Sequence, residues 1–159
     1  MNHTVRLPIL MSLLALMLFA SPARSEMQQA AAPVLHVGST AFDRAALEAM
    51  SIETVETTTA WTDGPQVFEG PLARDVLAAA GVEGETVRAV ALNDYAVDIP
   101  RSDFQRYDVI IALRHNGKAM SVRDKGPLWI VYPRDDHPEL QSSAQNDKWI
   151  WQLHRLDVR

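Results

Sequence analysis

Residues 68–82 read FEGPLARDVLAAAGV, and the fold follows from how this stretch is divided. Val67 and Phe68 make a short strand that stops at Gly70. Pro71 then stands where a first helical turn tolerates a missing N–H, and Gly81 suits the left-handed residue that ends a helix. Between them Leu72, Val76 and Leu77 share one apolar face, which predicts a strand, a corner and an amphipathic helix. Upstream, IETVETTT (52–59) alternates and is dense in threonine and valine, the composition of a strand. TDGP (62–65) turns it back. Earlier still, 34–37 is a β-branched run ended by Gly38, and FDRAALEAM (42–50) sets Phe42, Ala46, Ala49 and Met50 at helical spacing.

Downstream the pattern stays mixed. Residues 87–92 predict a strand, Asn93 and Asp94 a turn, and YAVDI (95–99) the returning strand. A helical turn over 101–106, opened by Ser102 or Asp103, leads to a buried strand at 109–113 and a hairpin at Asn116-Gly117. Residues 128–132 form another strand, with Trp129 and Val131 facing opposite to Leu128, Ile130 and Tyr132. WIWQLHRLDV (149–158) alternates again. The sum is an α+β chain, mixed and strand-rich, forming a single domain over 34–159 without internal repeats.

Composition narrows the function. The chain has 159 residues, 47% hydrophobic and 22% charged, enough to bury one core. Arg6 precedes an apolar run at 7–20, and Ala23-Arg24-Ser25 has small residues where a signal peptidase reads. The expectation is an export signal over 1–25, with Glu26 first in the mature protein, a tether over 26–33 (EMQQAAAP), and the periplasm as destination. A retained N-terminal anchor is the other reading. Loss of 1–25 moves the formal charge from −5 to −7, the wrong sign for a nucleic-acid partner. There is no cysteine, so neither disulfides nor thiolate chemistry is open to it. Gly-x-Ser-x-Gly and glycine-rich phosphate-loop motifs are also missing from the sequence.

FEGPLARDVLAAAGV, ALNDYAVDIP (91–100), GPLWIVYP (126–133) and KWIWQL (148–153), in that order, resemble the molybdopterin-binding domain of the sulfite oxidase family. The resemblance covers nearly the whole chain after the leader. It implies a sulfite oxidase-like fold, with GPLWIVYP ending beside the pterin and Lys148 and a tryptophan, either Trp149 or Trp151, cradling it. In catalytic members a cysteine from the region of 54–61 ligates molybdenum; here that region is TVETTTAW, and a threonine hydroxyl has neither the softness nor the charge of a thiolate. A narrower resemblance, to short exported cysteine-free proteins that bind a reduced pterin, implies a partner: the periplasmic region of an inner-membrane diguanylate cyclase or phosphodiesterase for cyclic di-GMP. Such a protein is a binding module rather than an enzyme. The alternative is a molybdopterin-dependent oxidoreductase or redox accessory whose metal is held by the cofactor alone.

A pterin is flat, with an amide and an amino group on one edge, so its site needs a stacking face and paired acceptors. Trp61, beside the TDGP turn, is the stacking candidate, core burial being its other reading. Asp94 and Tyr95 project from one loop, either as an acceptor and an aromatic or as an Asx turn with a half-buried ring. Arg114 reaches a pocket rim or solvent. Tyr132 ends the GPLWIVYP strand, and RDDHPEL (134–140) offers Asp135, Asp136 and His137 as a polar rim, a solvated acidic loop or, more weakly, a metal cluster. Lys148, Trp149 and Trp151 complete the set, the two tryptophans sharing one face if the strand is regular.

Overall fold

The computed structural model describes residues 31–159. The expected export signal, and residues 26–30 of the expected tether, lie outside the described residues. No helix among those described is long and apolar enough to cross a membrane.

The fold is α+β. Strands β1 (Leu35–Val37) and β2 (Thr40–Phe42) form a hairpin, followed by the short helix α1 (Arg44–Glu48). β3 (Ile52–Thr57) and β4 (Gln66–Pro71) pair antiparallel and lead into α2 (Ala73–Ala79). β5 (Thr86–Ala91), β6 (Ala96–Pro100) and α3 (Arg101–Arg106) come next. The rest comprises β7 (Ile110–Ala112), the tiny hairpin β8 (Arg114–His115) and β9 (Lys118–Ala119), β10 (Trp129–Val131) and β11 (Leu153–Val158). Three sheets result, in the orders β2-β1-β11-β5-β6, β3-β4-β8-β9 and β10-β7.

The last strand joins the first in parallel, His36 opposite Arg155, and lies antiparallel to β5. The sheet order thus ties both ends of the described chain into one layer. In the small sheet, β7 and β10 are buried on both faces, which explains their unbroken apolar composition. Trp129, Tyr132, Phe68 and Phe104 are the largest fully buried side chains, each contributing about 1.5–3 kcal/mol by leaving water. Gly70 lets β4 cross β7 closely, since a Cβ there would run into the Ile111 carbonyl.

Local expectations needed correction at four places. Pro71 belongs to β4, and α2 begins at Ala73 after Leu72; the ladder partner Ile52 keeps Pro71 in the sheet. The α1 helix is shorter than 42–50: Phe42 ends β2, Asp43 caps Ala46 N–H through its carboxylate at 2.7 Å, and Leu47 is the buried residue. Pro100, not Ser102 or Asp103, precedes α3 without a side-chain cap. The closing strand starts only at Leu153, because Gln152 takes φ 53° and breaks the ladder.

Candidate functional site

Where the closing segment breaks, a cleft opens. The 3₁₀ segment Ser143–Lys148 brings Asn146 and Asp147 to one wall, and the β5–β6 turn brings Asn93 and Tyr95 to another, around a cavity of about 330 Å³. Trp61, Trp149 and Trp151 supply the apolar surface. The Trp61 ring centroid lies 6.0 Å from Trp149 and 5.2 Å from Trp151, with interplanar angles of 53° and 87°. The indoles are therefore not parallel plates: a flat ligand lying on one meets another at a steep angle, an arrangement that aromatic quadrupoles favour. Trp129 is wholly buried, 6.4 Å from Trp61 and 6.2 Å from Trp151, and stiffens the whole set.

Of the residues singled out from sequence, Trp61, Tyr95, Trp149 and Trp151 line this cleft. Asp94 does not: it is exposed, at φ 65° in the turn, between two residues that do. Asp136 and His137 line a different groove, with β3, Arg74 and Asp108, so they do not share a pocket with Trp61 and Tyr95. Arg114 pairs with Glu48 at 3.2 Å. Tyr132 is core, its hydroxyl donating to Asp103 at 3.1 Å; burial, then the Asp103 charge, push its pKa far above the usual tyrosine range. Lys148 Nζ donates to the same carboxylate oxygen at 2.7 Å. This half-buried Asp103 holds Lys148 next to Trp149, making the lysine a support of the cleft wall rather than part of its lining. Trp149 and Trp151 both line the cleft, although neither belongs to the closing strand, which starts at Leu153.

Asn93, Asn146 and Asp147 were not found from sequence. Asn93 was read only as a turn residue, and SAQNDK (143–148) has no periodic signal; only its attachment to Lys148-Trp149 marks it.

The stretch Thr54 to Trp61 makes a second, contrasting place. Thr58 donates from its backbone N–H at 2.7 Å and its hydroxyl at 2.6 Å to the Asp135 carboxylate. Thr57 Oγ1 accepts from the Asp135 backbone N–H at 3.2 Å, and Thr59 and Thr62 hydroxyls bond each other at 2.7 Å. Arg134 Nη1 donates to Thr58 Oγ1 at 2.8 Å, while its Nε is buried without a partner. Asp135 is thus a clasp between β3 and the segment Arg134–Asp136, not a pocket rim. These are hard oxygen donors already engaged with one another, and they do not fit the role of a soft metal ligand. Among the described residues no group of three or more His, Asp or Glu is placed to hold a metal. The cleft, by contrast, suits a pterin ring: its size, its indoles and its carboxylate beside carboxamides match a planar, hydrogen-bonding heterocycle.

No curated protein sequence matches the chain. Among solved structures, the sulfane dehydrogenase SoxCD from Paracoccus pantotrophus is similar in fold, with a TM-score of 0.60 and 18% identity, over 79% of this chain. The chain covers 37% of that protein's length, so it corresponds to a part of the larger molecule. The family model described as "Oxidoreductase molybdopterin binding domain" matches residues 28–157. Matched over nearly its whole described length, the chain belongs to the oxidoreductase molybdopterin-binding domain family.

Proposed function

We propose that this protein is a non-catalytic binding module that holds a reduced, non-metallated pterin in the tryptophan cleft and reports its presence to a protein partner in the periplasm. The observation that carries this reading is the pairing of an intact aromatic cleft with a metal-ligand region that has no thiolate. Family membership supports a molybdopterin-related ligand; the donor set favours its organic part. Trp61 or Trp149 supplies the stacking face. Asp147, able to accept two parallel hydrogen bonds, suits the amino and amide edge of the ring, and Asn93 and Asn146 offer both donors and acceptors.

A partner fits the same end of the molecule. Leu92, Tyr95 and Val122 are its exposed large hydrophobic side chains among the described residues, and Gln152 ties two of their segments together, through Leu92 N–H to its carbonyl at 2.9 Å and its amide to the Val122 carbonyl at 2.8 Å. An apolar collar beside a ligand cleft is a place where a partner senses occupancy. The partner implied by the resemblance is the periplasmic region of an inner-membrane cyclic di-GMP enzyme.

The second reading, favoured by the family match, is an oxidoreductase or redox accessory that takes complete molybdopterin, its metal held by the cofactor's own dithiolene. Unfolding the protein purified from its native compartment separates the two. A released pterin, identified by fluorescence and mass, at near one per chain and without molybdenum supports the first; stoichiometric molybdenum supports the second.

A further inference from the structure

The four-stranded sheet ends at β3, whose sole ladder partner among the described residues is β4. Along Ile52–Thr57 the peptide groups that point away from β4 therefore have no further strand beside them among the described residues. A groove of about 340 Å³ runs along this side, and Glu53, Thr54, Val55 and Glu56, four consecutive residues, all line it. Side chains alternate between the two faces of a strand, so a groove touched by four in succession follows the edge, not a face. Its other lining comprises Leu72, Arg74 with Asp108, paired at 2.7 Å, and Pro133, Asp136 and His137. The Asp135 clasp on Thr58 closes one end, which fixes where an added strand must stop.

Open edges are normally blunted, because any extended chain can pair with them. Here the blunting is selective. Glu53, Glu56 and Asp136 are exposed in the groove, whereas its one arginine is already matched by Asp108. A second copy docking β3 to β3 would face these carboxylates with the same set. Glu53 and Glu56 lie on opposite faces of β3, so a chain with lysine or arginine on both of its faces would neutralise them.

We infer that the β3 edge receives an extended cationic segment of a partner protein as an added strand, with main-chain hydrogen bonds giving affinity and the carboxylates giving selection. This site is separate from the tryptophan cleft and does not depend on what the cleft holds.

The test uses the purified full chain and a labelled hexapeptide of lysine and valine with lysines on both faces (Lys-Lys-Val-Val-Lys-Lys), followed by fluorescence anisotropy. Binding is expected, together with slower amide exchange at residues 53–56. N-methylation of alternate peptide residues should weaken it by about tenfold, because it removes main-chain donors. The double variant Glu53→Lys, Glu56→Lys should also lose about tenfold, with an unchanged melting temperature and unchanged pterin binding. Absence of binding overturns the inference. So does equal binding of a glutamate–valine hexapeptide, or of the N-methylated peptide, since either would remove charge selection or strand pairing from the contact.

Discussion

Thr58 and Trp61 stand three positions apart in the sequence, yet their surroundings are opposites. Around Thr58, hydroxyls, backbone N–H and the Asp135 carboxylate satisfy one another at 2.6–2.8 Å. Around Trp61, polar side chains converge on a cavity lined by indoles. Buried or half-buried polar groups that are already paired gain little from a ligand, whereas groups facing an unfilled cleft gain whatever the ligand supplies. The proposed function rests on this contrast: polar groups already clasped to one another on one side, and polar groups facing an indole-lined cavity on the other.

The contrast breaks most visibly at Trp129, which underlies the cleft. Its replacement by alanine should cost about 3–5 kcal/mol of stability, the range for deleting a buried aromatic, read as a lower urea midpoint. Pterin binding should fall with it, because Trp61, Trp149 and Trp151 lose their common support. Trp61→Ala removes a partly exposed ring instead. It should lower pterin affinity by about 1–3 kcal/mol, the worth of one stacking face, with a smaller effect on stability. If Trp61→Ala unfolds the protein as severely as Trp129→Ala does, the cleft is simply core.

Asp135→Ala and Asp147→Asn form the next pair. The first should reduce stability by about 1 kcal/mol through loss of the Thr58 bonds, measured by thermal melting, and leave affinity alone. The second should do the reverse, lowering affinity by about 1 kcal/mol when a two-acceptor edge becomes a mismatched amide. Asp94→Asn, in an exposed turn at positive φ that asparagine also tolerates, should change neither. An Asp135 variant that loses pterin affinity would join the two regions into one site.

The fold was legible because its strands and helices carry their own signals: Leu72, Val76 and Leu77 define α2's buried face, and IETVETTT alternates just where β3 forms. Trp61, Tyr95, Trp149 and Trp151 were legible as candidates because each is a large aromatic beside a turn or break, although core burial was the other reading of Trp61. Asn146 and Asp147 were not, since a 3₁₀ segment has no period and a polar residue in it looks like any solvated loop. Asp94 carries the carboxylate of its turn, yet its neighbour Asn93 is the one that lines the cleft; the side of a turn on which a residue projects depends on backbone torsions, not composition. Asp135 was weighed as a pocket carboxylate because the clasp needs β3 and the Arg134–Asp136 segment to meet, a contact between residues 77 positions apart.

The smallest predicted effect concerns pH and falls outside both regions, so it checks that neither is credited with a background titration. His115 stacks on Phe68 at 4.8 Å and 8°, with its Nε2 2.9 Å from Gln66 Oε1. Burial, and then the Lys125 charge, lower its pKa from 6.5. The unfolded chain therefore takes up this proton before the folded one, and stability should decline as pH drops below about 6.5. Glu139 acts in the same direction but lower in pH. Its own backbone N–H, the Tyr107 hydroxyl and Arg106 hold its carboxyl below 4.5, so its contribution is present above that value and is lost only in stronger acid. Between about pH 7 and pH 5 the slope should come from the histidine and not from the glutamate. His115→Asn should flatten the melting temperature in that interval, whereas Glu139→Gln should not. If pterin affinity in the parent protein tracks the same interval and His115→Asn abolishes the dependence, the cleft is coupled to this ring through Trp129, 6.2 Å away, and the two regions share a titrating neighbour after all.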